Sequence, residues 1–373
     1  MAKIAFLLPD LGAGGAERVA IGLMRSFRER GHEVEFVLMQ KQGELLDQIA
    51  DEVRIVDLGV KRIREAIWPL VRYFRESHPD AVQARMWPLT VAAIIARRLA
   101  RSPARLVVSD HISLSHQHHL QRAKLALLKL STRLFYPMAD ARICVSEGVA
   151  QDLARLSGIP RSKFFLVYNP VAPPSQASPH EGSERIWGCA EARLLSVGTL
   201  KTQKNHGLLI DAFSRIADAL DAKLVIVGDG QLRADLQRRI GELGLDDRVE
   251  LVGHKADPSP YYATADLLVL SSDYEGFAIV IVEALHHGLK VVSTDCPYGP
   301  AEILGRGQFG RLVPVGDAEA LARAMTKELG RRRDPQAQRA RAADFSPARA
   351  TEAYLEALLG HGQSGKSIAE AQS

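Results

Sequence analysis

The segment DLLVLSSDYEGFAIVIVEALHHGLKVVST, residues 266–294, contains the residue patterns of a strand, a helix and a second strand in succession. Residues 266–270 and 290–294 each contain a short run of adjacent apolar residues rather than a polar alternation, which predicts strands that are buried on both faces. Residues 278–287 between them have the apolar spacing of a helix. The segment is therefore predicted to form a β-α-β unit of a parallel sheet that is covered by helices on both sides.

The same alternation of apolar runs and helical patterns extends through the rest of the chain. Further strands are predicted at 3–8, 33–39, 53–58, 81–84, 105–110, 141–146, 164–168, 193–197, 223–227, 249–252 and 311–313. Further helices are predicted at 16–30, 89–101, 120–135, 148–156, 207–220, 232–243, 318–329 and 348–359. This repeated alternation predicts an α/β fold with two Rossmann-like, doubly wound domains.

A stretch rich in proline and serine, VAPPSQASPHEGSER at 171–185, interrupts the alternation and has the composition of a linker. We therefore predict a linker at 172–185 and a flexible, polar tail at 361–373. The predicted domains are an N-terminal one at 1–171, rejoined by a C-terminal helix at 347–360, and a second one at 186–346. Two such domains would face each other across a cleft, to which the carboxyl ends of both sheets present loops.

Length and composition suit two globular domains. The chain has 373 residues, of which 46% are hydrophobic and 25% charged, and this balance excludes a mainly disordered protein. It has no run of about 18 apolar residues, and its first residues are typical of a buried strand rather than a signal peptide. The three cysteines, Cys144, Cys189 and Cys296, have no CxxC spacing, which argues against a disulfide framework or zinc site and favours the reducing cytoplasm.

The net charge of +4 is distributed unevenly along the chain. Between Lys61 and Arg133 there are 14 basic and 4 acidic residues. Such an excess indicates an anionic partner, namely a membrane surface, a phosphorylated substrate or nucleic acid, unless it is only a solvated surface. Residues 117–134 place basic residues among leucines at helical spacing, so this helix could lie on an anionic bilayer or pack on the core with a basic edge. No recognised module supports nucleic-acid binding.

A glycine-rich turn, DLGAGGAER at 10–18, follows the first predicted strand. Glycines let the backbone approach a ligand closely, and the start of a helix offers free N–H groups to an anion. A G-x-G-x-x-G motif beginning at Gly12 would need glycine at position 17, which is Glu17, and no acid follows the second strand. The turn therefore argues against a classical NAD site. Two interpretations remain: a turn that binds an anion, or a tight turn that binds no ligand.

Two further motifs carry charged residues beside predicted strand ends. In VGTLKTQKNH, residues 197–206, a lysine next to a glycine turn can neutralise a phosphate, although a surface lysine is the alternative. Glu275 lies in a glycine-containing turn, and Glu283 lies about 8 Å up the following helix at about 1.5 Å per residue. Both carboxylates could thus face one ligand, with the helix N-terminus toward its phosphates, whereas an exposed helical acid is the alternative for Glu283.

Taken together, these motifs resemble those of retaining nucleotide-sugar glycosyltransferases of family four, which have the two-domain GT-B fold. The resemblance covers about residues 3–345 and rests on GGAER at 14–18, VGTLKTQKN at 197–205, VIVGDG at 225–230, the E-x7-E motif of Glu275 and Glu283, and VVSTDCPYGPAEIL at 291–304.

The resemblance implies transfer of a hexose or N-acetylhexosamine from a nucleotide diphosphate sugar, with a UDP-sugar favoured. The acceptor would be a glycan or a lipid-linked sugar in cell-surface polysaccharide assembly. No cofactor, metal or nucleic acid is expected, and the location would be the cytoplasm, at the inner face of the membrane if the basic surface binds lipid. The alternatives are a GDP-mannose-dependent mannosyltransferase, a nucleotide-sugar epimerase and a non-catalytic nucleotide-sugar binder.

The resemblance also implies catalytic roles. Glu275 would lie at the reacting face of the donor sugar with His111 near the same sugar, and Lys204 would stabilise the departing diphosphate. The donor would further be bound by Gly14, Gly15, Gly198, Thr199, Asp229, Gly276, Phe277, Ala278 and Glu283, the last at the ribose hydroxyls. Many members of the family have arginine directly after the glycine at 198, where this chain has Thr199. Lys204 would then act with helix dipoles alone, or Lys201 would supply the second cation.

Overall fold

The computed structural model describes residues 1–12, 14–111, 114–115, 122–174 and 183–360. The chain forms two compact units, one containing residues 1–170 together with the segment from Pro347, and the other containing residues 171–346. None of the helices in the described ranges is long and apolar enough to cross a membrane.

Within the described residues, the first unit contains a seven-stranded parallel sheet in the order β3-β2-β1-β4-β5-β6-β7. Its strands are Lys3–Leu8 (β1), Glu33–Leu38 (β2), Arg54–Asp57 (β3), Ala81–Arg85 (β4), Arg105–Asp110 (β5), Ala141–Cys144 (β6) and Phe165–Leu166 (β7). Its helices from the first half of the chain are Gly15–Glu29 (α1), Ile67–Ser77 (α2), Leu89–Ala100 (α3), Arg122–Phe135 (α4) and Glu147–Ser157 (α5). Five of the six residues of β1 are buried because helices cover the sheet on both faces.

The described part of the second unit contains a six-stranded parallel sheet in the order β10-β9-β8-β11-β12-β13. Its strands are Ala192–Val197 (β8), Ala222–Val227 (β9), Val249–Gly253 (β10), Leu267–Leu270 (β11), Lys290–Thr294 (β12) and Arg311–Val313 (β13). Its helices are Ser183–Trp187 (α6), His206–Ala217 (α7), Arg233–Glu242 (α8), Ser259–Thr264 (α9), Ile279–His286 (α10), Pro300–Ile303 (α11), Ala318–Leu329 (α12) and Pro335–Ala343 (α13).

The last helix, Pro347–Leu359 (α14), follows the second unit in the chain but packs on the first. It contacts α1 and the strands β4 to β6. Tyr354 and Leu358 are fully buried there, and Glu352 forms an ion pair at 3.0 Å with Arg30, the residue that follows α1. These contacts hold α14 on the first sheet.

The predicted α/β fold with doubly wound parallel sheets is confirmed, and every predicted strand is present with its ends moved by two residues or fewer. Val171, predicted as the last residue of the N-terminal domain, belongs to the second unit, where its N–H donates to the Phe345 carbonyl at 2.9 Å. The helix α6 begins at Ser183, inside the predicted linker at 172–185. The central linker residues 175–182, the predicted tail and the first two residues of the helix predicted at 120–135 lie outside the described residues.

Each sheet has one point at which the order of its strands reverses, between β1 and β4 in the first unit and between β8 and β11 in the second. The loops that leave two neighbouring strands at such a point run to opposite faces of the sheet, which opens a crevice at their carboxyl ends. The glycine turn follows β1, the turn that carries Lys204 follows β8, and the turn that carries Glu275 follows β11. The predicted motifs thus lie beside the two reversal points.

Candidate functional site

The fold brings Lys204 and Glu275 into direct contact at the reversal point of the second sheet. Lys204 ends the 3-10 turn Thr202–Lys204 after β8, and its Nζ donates to Oε1 of Glu275 at 2.6 Å. The two side chains are only 15% and 7% exposed. Because water screens the pair weakly at this depth, each charged group depends on the other for compensation.

Hydrogen bonds join the two turns that carry this ion pair. The Gln203 side-chain amide donates to the carbonyl of Tyr274 at 2.8 Å, and the Asp273 N–H donates to the carbonyl of Gln203 at 2.9 Å. The Ser271 hydroxyl donates to the carbonyl of Lys204 at 2.9 Å. The ammonium and the carboxylate are therefore carried by two turns that hydrogen bonds hold together.

Two glycines lie close to the Lys204 side chain and to each other. A Cβ atom on Gly198 would lie 3.4 Å from Cδ and Cε of Lys204, so the lysine stem passes directly over this glycine. A Cβ atom on Gly228, which has a φ of +149°, would lie 2.0 Å from the carbonyl oxygen of Gly198. The predicted glycine motifs after β8 and β9 thus fit against each other and place the lysine.

Two other predicted donor-binding residues, Thr199 and Asp229, are exposed in the same region. The carbonyl of Asp229 accepts the Leu200 N–H at 2.9 Å, and its carboxylate accepts the N–H of Gly230 at 2.7 Å. Arg233 lies 4.0 Å from that carboxylate. Both side chains are therefore open to a ligand in solvent.

The three residues after Glu275 that were predicted to bind the donor are buried. Gly276 is buried, and Phe277 and Ala278 are 6% and 2% exposed. The ring of Phe277 packs edge-on against Phe345 with 5.5 Å between the centroids, so this side chain belongs to the core. Only the backbone of Phe277 remains for contact with a donor.

Glu283 lies half-buried on α10, in a contact that the sequence did not indicate. Its Oε2 accepts a hydrogen bond from the Tyr262 hydroxyl at 2.6 Å. Tyr262 is 1% exposed on α9 and stacks on His287 with 5.5 Å between the centroids. Burial, together with the charge of Glu283, raises the pKa of Tyr262 well above its ordinary value, so this phenol keeps its proton and donates it.

Ser272 is a second site residue that the sequence analysis did not single out. Its hydroxyl donates to Oε1 of Glu275 at 2.6 Å, the oxygen that also receives Lys204. A single hydroxyl has no spacing signature, so neither Ser272 nor Tyr262 could be found by a motif.

His111 belongs to the first unit, where it follows β5 and is 8% exposed. Its Nε2 lies 3.0 Å from the Ser109 hydroxyl. Burial and the nearby Arg85 guanidinium hold the pKa of His111 well below its ordinary value, so the imidazole is neutral at physiological pH. Arg85 is fully buried and donates to the carbonyl of Ala16 in α1 at 2.7 Å.

The two predicted glycines of the first unit lie at the start of α1. Gly14 is the N-cap and Gly15 the first helical residue, and both are exposed. A Cβ atom on Gly14 would lie 2.2 Å from Oε2 of Glu17, so the glycine leaves room for this carboxylate at the helix N-terminus. An acidic group near the N-terminus is favoured by the helix dipole, as an anionic ligand would be.

No cluster of three or more His, Cys, Asp and Glu side chains suited to a metal ion occurs in the part of the chain that the structure describes. The three cysteines are unpaired, Cys144 and Cys296 being buried and Cys189 exposed.

Two glycosyltransferase families match the chain, one in each unit. The family "Glycosyltransferase Family 4" matches residues 13–173, and "Glycosyl transferases group 1" matches residues 191–330.

Curated relatives match the chain over most of its length. The amylovoran biosynthesis glycosyltransferase AmsD of Erwinia amylovora is 27% identical over 306 residues, which are 82% of this chain and 84% of that protein. The N-acetylgalactosamine-N,N'-diacetylbacillosaminyl-diphospho-undecaprenol 4-alpha-N-acetylgalactosaminyltransferase of Campylobacter jejuni is 28% identical over 344 residues, 88% of this chain and 90% of that protein.

Among solved structures, the crystal structure of Anabaena HepE in complex with UDP has the same fold. It is 22% identical in sequence and superposes with a TM-score of 0.80 over 96% of this chain and 100% of that chain.

Proposed function

Because the chain is a glycosyltransferase built from two Rossmann-like parallel-sheet units, the GT-B fold, we propose that it transfers a hexose or N-acetylhexosamine from a nucleotide diphosphate sugar. The acceptor is a glycan or a lipid-linked sugar of cell-surface polysaccharide assembly, and the anomeric configuration is retained. The observation that carries the proposal is the shielded Lys204–Glu275 ion pair at the reversal point of the second sheet. Open α/β sheets bind their ligands at such points.

Lys204 stabilises the leaving group in this proposal. Glycosyl transfer passes through an oxocarbenium-like state while negative charge collects on the departing diphosphate. An ammonium group has three donors, and the one directed to Glu275 leaves the others able to turn toward a phosphate. A pre-positioned cation in a shielded site favours the transition state because it needs no reorganisation when the charge develops.

The other roles in this proposal are those that the family resemblance implies. Glu275 faces the reacting carbon and hydroxyls of the donor sugar, and Glu283 accepts hydrogen bonds from the ribose hydroxyls. His111, neutral at physiological pH, donates or accepts a hydrogen bond at the sugar. Gly14 and Gly15 offer the exposed start of α1 to the diphosphate.

A UDP-sugar is the favoured donor, and a lipid-linked acceptor is the favoured acceptor. HepE, which shares the fold, was crystallised with UDP, and the name of the Campylobacter relative specifies a diphospho-undecaprenol acceptor. Thermal-shift measurements with UDP, GDP, ADP and their sugars test the donor. UDP compounds are expected to stabilise the protein most, by about 2.7 kcal/mol at a hundredfold excess over Kd. A larger shift with GDP would favour the mannosyltransferase alternative, and no shift with any nucleotide would contradict the proposal.

Substitution of Glu283 is expected to weaken nucleotide binding. Glu283→Ala removes the carboxylate that would accept the ribose hydroxyls, and loss of a hydrogen bond to a charged group raises Kd by about tenfold or more. Isothermal calorimetry with UDP measures the change. Glu319→Ala, which removes an exposed acid from α12, is the control and should bind UDP like the wild type. Equal affinities for all three proteins would rule out the ribose assignment.

The helix α4 supports the proposal that the first unit docks on an anionic membrane. It packs through Leu128 and Thr132, whereas Leu127, Leu130 and Leu134 are 56%, 57% and 52% exposed. These three leucines lie at i, i+3 and i+7 on one face of the helix. The basic residues exposed on the same helix are Arg122, Lys124, Lys129 and Arg133. An apolar stripe between cations suits insertion at the headgroup level of an anionic bilayer.

Flotation with vesicles tests this membrane surface. The wild type is expected to float with vesicles that contain anionic lipid and to lose binding as salt is raised, since screening weakens the attraction. Replacing Leu127, Leu130 and Leu134 together by glutamine should abolish flotation. Leu243→Gln, which removes a leucine that is 40% exposed in the second unit, is the control and should float normally. Absence of salt-sensitive flotation by the wild type would exclude this surface.

A further inference from the structure

We propose that two buried hydroxyl groups are positioning residues for the two glutamates, Ser272 for Glu275 in the transfer step and Tyr262 for Glu283 in nucleotide binding. Each hydroxyl donates to one carboxylate oxygen of its glutamate at 2.6 Å. The inference rests on the proposed function, and it assigns separate kinetic effects to the two residues.

Ser272 is itself rigidly placed. It is fully buried after β11, and its carbonyl accepts the hydroxyl of Thr294, a fully buried residue at the end of β12, at 2.6 Å. The neighbouring strand thus fixes the backbone from which the serine hydroxyl reaches Glu275. A charge-assisted hydrogen bond from a fixed donor restricts the rotation of the carboxylate that accepts it.

Lys204 alone would not hold Glu275 during the reaction. Both Nζ of Lys204 and Oγ of Ser272 donate to Oε1 of Glu275. The ammonium sits on a flexible stem, and the diphosphate of the donor competes with Glu275 for its charge. The serine hydroxyl carries no charge to be drawn away, so it keeps Glu275 oriented when Lys204 turns to the phosphate. Loss of Ser272 should therefore slow transfer without weakening nucleotide binding.

Tyr262 constrains Glu283 in a comparable way on the next helix. Its ring is 1% exposed and stacked on His287, with an angle of 13° between the ring planes. A buried ring with two side-chain torsions loses little further freedom when its hydroxyl forms a hydrogen bond. The phenol therefore fixes the carboxylate of Glu283 before a nucleotide arrives. Loss of the hydroxyl should weaken nucleotide binding and leave the rate at saturation unchanged.

The test compares Ser272→Ala with Tyr262→Phe. UDP affinity is measured by calorimetry, and turnover is measured as UDP release when water replaces the acceptor, with UDP-glucose, UDP-galactose and their N-acetylhexosamine counterparts as donors. Ser272→Ala should lower kcat by about tenfold and leave the Kd for UDP within about twofold of wild type. Tyr262→Phe should raise that Kd by about five- to tenfold with kcat within about twofold. Ser272→Thr, which keeps the hydroxyl, should recover most of the lost rate.

Two control variants remove comparable buried hydroxyls elsewhere. Ser157→Ala removes a buried serine of α5 in the first unit, whose hydroxyl donates to the Leu153 carbonyl at 2.6 Å. Tyr73→Phe removes a buried tyrosine that donates to Glu35 in the first unit at 2.5 Å. Both variants should lower Tm without changing kcat or Kd. If Ser272→Ala does not fold, Ser272→Cys, which is similar in size and a weaker donor, should show the same loss of kcat.

The outcomes distinguish this inference from the proposed function. If kcat and Kd changed together in both variants, or if both variants kept the wild-type values, the positioning roles would be overturned. The proposed function would stand in that case, provided that the wild type bound UDP and released it from a donor. A wild-type protein that bound no UDP and released none would overturn the proposed function together with the inference.

Discussion

Glu275→Gln is expected to lower the rate of sugar transfer by about 100- to 1000-fold, the scale of losing a charge-stabilising group from an active site. Glutamine keeps the size of the side chain but removes the negative charge that would face the electron-poor sugar carbon. It also leaves the Lys204 ammonium, which is 15% exposed, without its anionic partner. Single-turnover release of UDP from the donor selected by the thermal-shift measurements gives the rate of the chemical step directly.

Glu328→Gln is the matched control for this variant. Glu328 is a buried acid of the second unit that pairs with Arg311 at 3.0 Å, away from the predicted motifs. Its replacement should lower Tm, because Arg311 loses the buried carboxylate that accepts its hydrogen bonds, but should leave the transfer rate of the folded protein unchanged. Equal rates for Glu275→Gln and wild type would remove Glu275 from the reaction.

Lys204→Met is expected to reduce turnover by about 100- to 1000-fold, because the departing diphosphate loses its cation. Methionine retains much of the apolar stem that passes over Gly198. The defect should depend on the leaving group. With a glycosyl fluoride, whose departing anion does not reach the diphosphate position, the variant should approach the wild-type rate.

Lys223→Met provides the control for the loss of a paired lysine. Lys223 is 19% exposed and pairs with Glu250 at 2.7 Å on the same sheet. This variant should turn over UDP-sugars normally. Leaving-group stabilisation by Lys204 would be contradicted if Lys204→Met turned over UDP-sugars as fast as Lys223→Met. It would also be contradicted if Lys204→Met were equally slow with UDP-sugars and with the glycosyl fluoride.

The strands could be predicted because strands of a parallel sheet that are covered on both faces are continuous apolar runs, as in β1 and β11. The helix α13 was not predicted because it lacks a clear apolar pattern. Its sequence PQAQRARAA has one buried residue, Ala342, and therefore no apolar stripe that a periodicity could reveal. The helix α2 has Pro69 in its first turn, where proline is tolerated but obscures the pattern.

Lys204 and Glu275 were both predicted as site residues from the sequence, but their contact was not predicted. They are 71 positions apart, and they meet because β11 lies beside β8, with β9 and β10 on the other side of β8. Strand order is a property of the whole sheet and has no local sequence signal. For Phe277 the motif predicted donor contact without showing that its ring packs in the core against Phe345, which leaves the backbone for such a contact.

A crystal structure of the protein soaked with UDP would show whether Lys204 and Glu283 bind the nucleotide. Density for the diphosphate is expected within hydrogen-bond distance of Nζ of Lys204, and density for the ribose hydroxyls is expected at the carboxylate of Glu283. Density for the nucleotide at a site that touches neither residue would contradict this expectation.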